Sequence, residues 1–202
     1  MTLITIGATY GAGGSRIAPE LASALGVPFL GRPEVPGLSA DTGELQAVGE
    51  GMGSKGLLSR LASIAVSWGT PAGMTCEELL PDETRRRELE REVHAFAAAG
   101  SGVILGRGAA VLLHDRPGAL HVLLDGPKEA RVEQAMVVEG IDRRTAEKRR
   151  TQMDRFRHAY IEDLYGVSAR EPGLFHLVLD STAIPLDQCV ELIADAARRR
   201  AA

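Results

Sequence analysis

Glycines and arginines are the residues of this sequence whose spacing could do chemistry. Gly7, Gly11, Gly13 and Gly14 follow the apolar run Leu3 to Ile6 and precede Ile17, Leu21, Ala24 and Leu25, which recur at helical spacing. The order strand, glycine loop, helix brings backbone N–H groups close to a ligand and adds the partial positive charge of a helix start. An anion, most often a phosphate, is favoured there. Ser15 is placed to cap the helix and to meet a metal ion on such a phosphate. Measured against G-x-x-x-x-G-K-[ST], the window Ala8 to Ser15 keeps Gly13 and the final hydroxyl but has Ala8 at the first glycine and Gly14 at the lysine. Measured against G-x-G-x-x-G, Gly11 and Gly13 fit, Arg16 does not, and no clear acidic partner stands on a second strand. The same glycines also suit a bare strand-to-helix turn.

Two further groups are cationic. Arg107 sits between Gly106 and Gly108 at the end of the buried run Gly102 to Leu105, where open parallel sheets take their ligands. Arg150, Asp154 and Arg157, four and three apart, share one face of a charged helical stretch, Arg143 to Leu164, with Asp142 as its cap. That stretch reads as a solvated helix with pairs such as Glu147 to Arg150 and Asp154 to Arg157. It reads equally as a lid whose planar guanidinium forks neutralise a transferred phosphoryl group, and the glycine loop favours the lid. The run Arg85 to Arg87, balanced by Glu83, Glu88, Glu90 and Glu92, reads as a solvated face.

The elements that must position these groups alternate. Strands are expected at Leu3 to Ile6, in the short segment Gly26 to Leu30, and at Gly102 to Leu105, Leu120 to Leu124 and Phe175 to Leu179. Helices are expected after the glycine loop, over Leu57 to Trp68, from Pro81 to Gly100, from Pro127 to Gly140, over the charged stretch, and over Pro185 to Arg199. Trp68 reads as core, and Gly31 to Gly56 as a long surface loop. The fold class is therefore α/β, a parallel sheet of about five strands flanked by helices with a helical lid, in a single domain over 1–202. A net charge of -4 with 45% hydrophobic residues argues against a nucleic-acid polymer as partner, and no run is long enough to span a membrane. A cytoplasmic location is expected. Cys76 and Cys189 stand apart, without zinc or disulfide spacing. His94, His114, His121, His158 and His176 read as structural or exposed, so no nucleophilic triad stands out.

Taken together, Tyr10-Gly11-Ala12-Gly13-Gly14 with Ile17-Ala18, Leu21-Ala22 and Leu25 to Pro28, then Gly106 to Ala109, Asp125-Gly126-Pro127 with Arg131, Asp154, Arg157 and Tyr160, Tyr165-Gly166 and His176 to Leu179 resemble the cytidylate kinase-like family of P-loop nucleoside monophosphate kinase relatives. In that family a glycine at the lysine position is usual. The resemblance implies the P-loop nucleoside-kinase-like fold, with a variable acceptor-site region at about 31–100 and a lid at about 141–165. It implies ATP and Mg²⁺ as cofactors, a small nucleotide such as CMP as acceptor, and a monomer or homodimer. Gly11, Ala12, Gly13, Gly14, Ser15 and Arg16 would then hold the donor phosphates, with Ser15 on the metal. Arg131 would contact nucleotide, Arg107 would grip the acceptor phosphate, and Arg150, Asp154 and Arg157 would act from the lid. The chain departs from the family at Ala8, at Leu30-Gly31 and at Gly108, where cytidylate kinases carry an aspartate that helps to read the acceptor. These departures keep two other readings open: a nucleotide-binding sensor that has lost catalysis, and a kinase for a non-nucleotide acceptor.

Overall fold

The structure, a computed structural model, describes residues 2–31 and 83–201. The expected helix over Leu57 to Trp68, Trp68 itself, Cys76, most of the Gly31 to Gly56 loop and the Pro81 helix start lie outside the described residues. The described chain runs β1 (Leu3–Ala8), α1 (Gly14–Leu25), β2 (Phe29–Leu30), α2 (Glu83–Ala98), β3 (Gly102–Leu105), α3 (Ala109–Leu112), β4 (Ala119–Asp125), α4 (Lys128–Glu139), α5 (Arg143–Tyr165), a 3-10 turn (Pro172–Leu174), β5 (Leu177–Asp180) and α6 (Leu186–Ala201).

The five strands form one sheet in the order β2-β3-β1-β4-β5, and every pairing is parallel. Leu3 is opposite both Gly102 and Ala119, and Ala8 is opposite Leu124. With β1 central and its neighbours in register, the turns after β1, β3 and β4 converge on one edge. That edge is the crevice where parallel sheets reverse their strand order and bind ligands.

Continuous apolar strands require cover on both faces. On one face Ile4, Ile6, Val122 and Leu124 pack against Ile17 and Leu21 of α1 and Cys189 and Ile193 of α6. On the other, Leu3 and Ile104 meet Val93 and Ala97 of α2 and Leu113. Each such buried aliphatic side chain contributes roughly 1.5–3 kcal/mol, which is what fixes β1 at the centre. Gly26, in the left-handed region at φ 63°, closes α1 with its N–H on the Ala22 and Ser23 carbonyls.

α4 and α5 form a separate layer over the glycine loop. Val132, Ala135, Ala146 and Met153 close around Tyr10, a residue of that loop, and Phe156 and Tyr160 continue the apolar seam along α5. Asp142 caps α5, accepting from the Thr145 N–H. Among the described residues no helix is long and apolar enough to cross a membrane.

Candidate phosphate-binding site

The loop between β1 and α1 is built by glycines that tolerate no side chain. Gly11 and Gly13 have φ 77° and 70°, in the left-handed region. A Cβ on Gly11 would run into the Arg131 carbonyl oxygen, and one on Gly13 would come within 2.7 Å of Leu186. Gly13, not Ser15, is the N-cap of α1, and it makes no side-chain capping bond. The capping role expected of Ser15 is therefore corrected: the glycine turn starts the helix two residues earlier, leaving Ser15 exposed in the first turn.

The outward carbonyls of the loop are each held by a side chain. Arg157 donates to the Ala8 oxygen at 2.6 Å, Arg131 to the Tyr10 oxygen at 2.7 Å, Gln134 to the Gly11 oxygen at 2.8 Å and Ser181 to the Ala12 oxygen at 2.8 Å. With these four carbonyls engaged, the amides of Gly13, Gly14 and Ser15 stand at the start of α1, the positive end of its dipole. Tyr10 is buried, and its hydroxyl donates to Glu139, which also accepts from Arg149. Burial first, and the Glu139 carboxylate second, push the Tyr10 phenol well above its ordinary value, so it stays protonated as a donor.

Arg131 and Asp154 lie behind the loop. Arg131 is fully buried. Its guanidinium donates to the Gly126 and Tyr10 carbonyls and meets Asp154 at 2.9 Å, while the same carboxylate accepts from the Tyr10 N–H at 3.1 Å. One ion pair thus holds both backbone polar groups of Tyr10. Arg131, expected to contact nucleotide, and Asp154, expected to act in the lid chemistry, are engaged here in loop support. The expected pairs Glu147 to Arg150 and Asp154 to Arg157 give way to this geometry: Glu147 approaches Arg143, and Asp154 turns to Arg131. Arg150 stands 4.0 Å from Asp154, with a buried Nε that has no partner among the described residues. Arg16, expected on the donor phosphates, forms an exposed ion pair with Glu20 at 3.0 Å.

Arg107 is on a different turn. It has φ 60°, between Gly106 at 71° and Gly108 at 66°. A left-handed arginine is strained, and such strain gathers at functional sites. Its side chain is buried, donating to the Gly31 carbonyl at 2.7 Å and to Glu92 of α2 at 2.5 Å. The structure therefore does not bring Arg107 into contact with the loop, although both turns share the sheet edge. A Cβ on Gly108 would lie 2.8 Å from the Tyr165 ring, so the room beside Arg107 is filled from the end of α5. Burial raises the Tyr165 phenol above its ordinary value. In the run Arg85 to Arg87, Arg86 and Arg87 pair with Glu83, whereas Glu92, expected to balance the same run, turns to Arg107.

Gln134, Ser181, Glu92 and Tyr165 carry parts of this arrangement that the motifs do not announce. Gln134 had a legible signal, lying three residues from Arg131 on one helical face. Ser181 and Glu92 had none, because their roles depend on tertiary proximity; Tyr165 belongs to the matched Tyr165-Gly166, but its place beside Gly108 depends on tertiary proximity too.

A cytidylate kinase from Aeropyrum pernix is 28% identical over 113 residues, covering 56% of this chain and 65% of that protein. A uronate isomerase from Corynebacterium glutamicum is also 28% identical, over 104 residues, 52% of this chain and 20% of that protein. The chain thus spans less than two thirds of the length of either curated relative. Among solved structures, a protein from Eubacterium ventriosum aligns with a TM-score of 0.66 at 19% identity, over 98% of this chain and 99% of that one. A gluconokinase from Sinorhizobium meliloti aligns at 0.55 with 17% identity, over 98% and 92%. At these identities the likeness is one of fold, a parallel sheet flanked by helices of the P-loop kinase kind. The model of the cytidylate kinase-like family matches residues 3–183, nearly the whole sequence, and the chain belongs to that family.

Proposed function

We propose that this chain transfers the γ-phosphoryl group of ATP to a small acceptor, with a nucleoside monophosphate such as CMP as the first candidate. The observation that carries the reading is the loop itself: side chains hold the carbonyls of Ala8, Tyr10, Gly11 and Ala12, and the glycine amides are left for an anion.

The residues fit the groups the family implies. Gly11 and Gly13 are packed against the Arg131 carbonyl and Leu186, so only glycine allows the left-handed turn that brings the loop amides to the start of α1, which suits a polyphosphate. Among the described residues no cluster of His, Cys, Asp or Glu could hold a metal alone. A magnesium ion of the usual kind rides on substrate phosphates with few protein ligands, and the exposed Ser15 hydroxyl is the ligand this chain would offer. The ion would spread the charge of the β- and γ-oxygens. The protein's share is positioning and charge: loop amides orient the donor, Arg157 and Arg150 face developing negative charge from α5, and Arg107 holds the acceptor's anionic group. No side-chain nucleophile is needed.

A specific observation favours a second reading, a non-nucleotide acceptor. Tyr165 fills the space at Gly108, and Arg107 is engaged by Glu92 and the Gly31 carbonyl, so the acceptor side is shaped unlike a site with a base-reading carboxylate there. The test is ADP release from ATP and Mg²⁺ with CMP, dCMP, UMP, AMP, GMP and gluconate offered separately, and an Arg150→Ala/Arg157→Ala variant as control. Turnover with one monophosphate, lost in the variant, supports the first reading. Turnover with gluconate alone supports the second. ATP binding without turnover on any acceptor refutes the monophosphate claim and leaves a nucleotide sensor.

A further inference from the structure

Arg107 is a fixed cation with a loosely held partner. Gly106 donates its N–H to the Ile6 carbonyl and Ala109 donates to the Gly106 carbonyl, so the left-handed turn that carries Arg107 is tied to β1 and to α3. Its side chain is only 6% exposed, and its Nε is bound to the Gly31 carbonyl at 2.7 Å. Backbone and side chain are both held. Glu92 is different: its side chain is 50% exposed, and its one polar contact among the described residues is the 2.5 Å ion pair with Arg107 Nη1. It can leave by rotating about its own side-chain bonds, because the neighbouring Val93 keeps α2 seated on β3 without it.

The Asp154 pair shows what a permanent carboxylate partner looks like in this chain. Asp154 accepts from the Tyr10 N–H as well as from Arg131, and so is held from two sides. Glu92 has no second hold. A carboxylate on a half-exposed side chain, resting on a buried guanidinium at the ligand edge of the sheet, occupies the position that an acceptor's anion needs. Its tether gives it an effective concentration at Arg107 on the order of millimolar or more, so small monoanions that offer the same chemistry without the tether do not displace it. A phosphomonoester does, because it brings close to two negative charges and three acceptor oxygens to the guanidinium.

We infer that Glu92 is an internal stand-in for the acceptor's phosphate: it closes the Arg107 subsite in the free protein and is exchanged for a phosphomonoester when the acceptor binds. The inference rests on the reading of Arg107 as the residue that holds the acceptor's anionic group, and deepens it by naming the class of group that opens the subsite. Glu92 acts through Arg107 and touches no reacting atom. The exchange leaves Arg107 paired in both states, so its buried charge is never without a counter-ion. Apparent acceptor affinity is then the intrinsic affinity multiplied by the fraction of protein in which Glu92 is off the guanidinium. A charge-assisted hydrogen bond at a half-exposed site puts that fraction at about one tenth.

The experiment measures equilibrium binding of CMP, cytidine, inorganic phosphate and ATP to the wild type and to Glu92→Gln, Glu92→Asp and Glu92→Gln/Arg107→Ala, with a melting curve for each. Glu92→Gln is expected to bind CMP and phosphate about tenfold more tightly, while cytidine, which has no anion, and ATP change by less than about twofold. Glu92→Asp keeps the charge on a stem one methylene shorter, so it should also bind CMP and phosphate more tightly, by about threefold or more. The double variant should lose the gain. Where CMP is turned over, the gain should appear as a lower KM at an unchanged kcat. CMP and phosphate bound no more tightly by Glu92→Gln, or more tightly by Glu92→Gln but not by Glu92→Asp, would overturn the inference, the second because it marks a general loss of negative field. So would a gain that survives Arg107→Ala, or the absence of CMP and phosphate binding in every variant. The kinase reading is decided separately, by ATP binding and ADP release in the wild type, and stands if only the Glu92 variants are neutral. If Glu92→Gln does not fold, Glu92→Asp decides alone.

Discussion

Replacing Asp154 by alanine should damage the protein far more than a surface substitution on a charged helix. The carboxylate is 2.9 Å from Arg131 Nη2 and 3.2 Å from Nη1, and it accepts from the Tyr10 N–H at 3.1 Å. Arg131 has no solvent exposure, so without Asp154 its charge stays buried with Asp125, at 3.7 Å, as the remaining carboxylate. Breaking a buried pair from one side costs about 3–5 kcal/mol. The 24% exposure of the Asp154 side chain and the presence of Asp125 put the value near the lower end, about 3 kcal/mol. For a domain of this size each kcal/mol moves the midpoint by roughly 2–4 °C, so thermal melting followed by circular dichroism should fall by about 6–12 °C. Asp154→Asn, which keeps one acceptor oxygen for Tyr10 and Arg131 but loses the charge and the second acceptor, should fall by less than Asp154→Ala. The double variant Arg131→Met/Asp154→Leu removes both charges and should melt above Asp154→Ala. A shift under 2 °C for Asp154→Ala, or a double variant that loses the sum of the singles, would refute the claim that this pair is a coupled support for the loop.

Two further outcomes follow from the geometry. His121 is fully buried beside Thr5 and stacked on His176, with Arg200 on the far nitrogen of His176 and His114 nearby. Burial first, and then His176, lower its pKa to about 4, so the unfolded chain binds its proton first as pH falls. Stability present above about pH 6.5 should be lost progressively down to about pH 4, and a melting-temperature series should flatten over that window in His121→Gln. At Arg107, Arg107→Gly should melt higher than Arg107→Ala, by roughly 1–2 kcal/mol of stability in chemical denaturation, because the φ of 60° strains any L-residue. Equal stabilities would mean that the turn is not strained.

The strands and the glycine loop were legible because their signals are local. Apolar runs of four to seven residues mark β1, β3 and β4, and the loop's glycines sit where a left-handed φ or a close backbone approach is needed. Gly26 and Gly140 stop helices where a glycine stop is expected, and Gly166 closes α5 in the same left-handed conformation. The apolar pattern starts the last strand at Phe175, two residues before the observed Leu177, because Phe175 and His176 are apolar or neutral enough to extend it. The charged face of α5 was legible as a face, but its partners were not. Helical spacing offers Asp154 neighbours at Arg150 and Arg157, and only tertiary packing brings Arg131 closer than either. Likewise nothing in the sequence around Gly108 reveals that a tyrosine from another helix lies against it.

The clamp on Tyr10 also bears on the order in which the protein assembles. The motif that looks like a self-contained phosphate binder is held by Asp154, 144 residues downstream, and by Arg131, 121 residues downstream. At ordinary synthesis rates of about 5–20 residues per second, the loop waits on the order of 7–30 s after it is made before the residue that fixes it exists. Its shape is among the most non-local contacts of the fold, so it is expected to form late, after the sheet has paired. A released N-terminal fragment should carry the glycines without the binding site, and the set shape of the glycine loop should serve as a signal that the last third of the chain has docked.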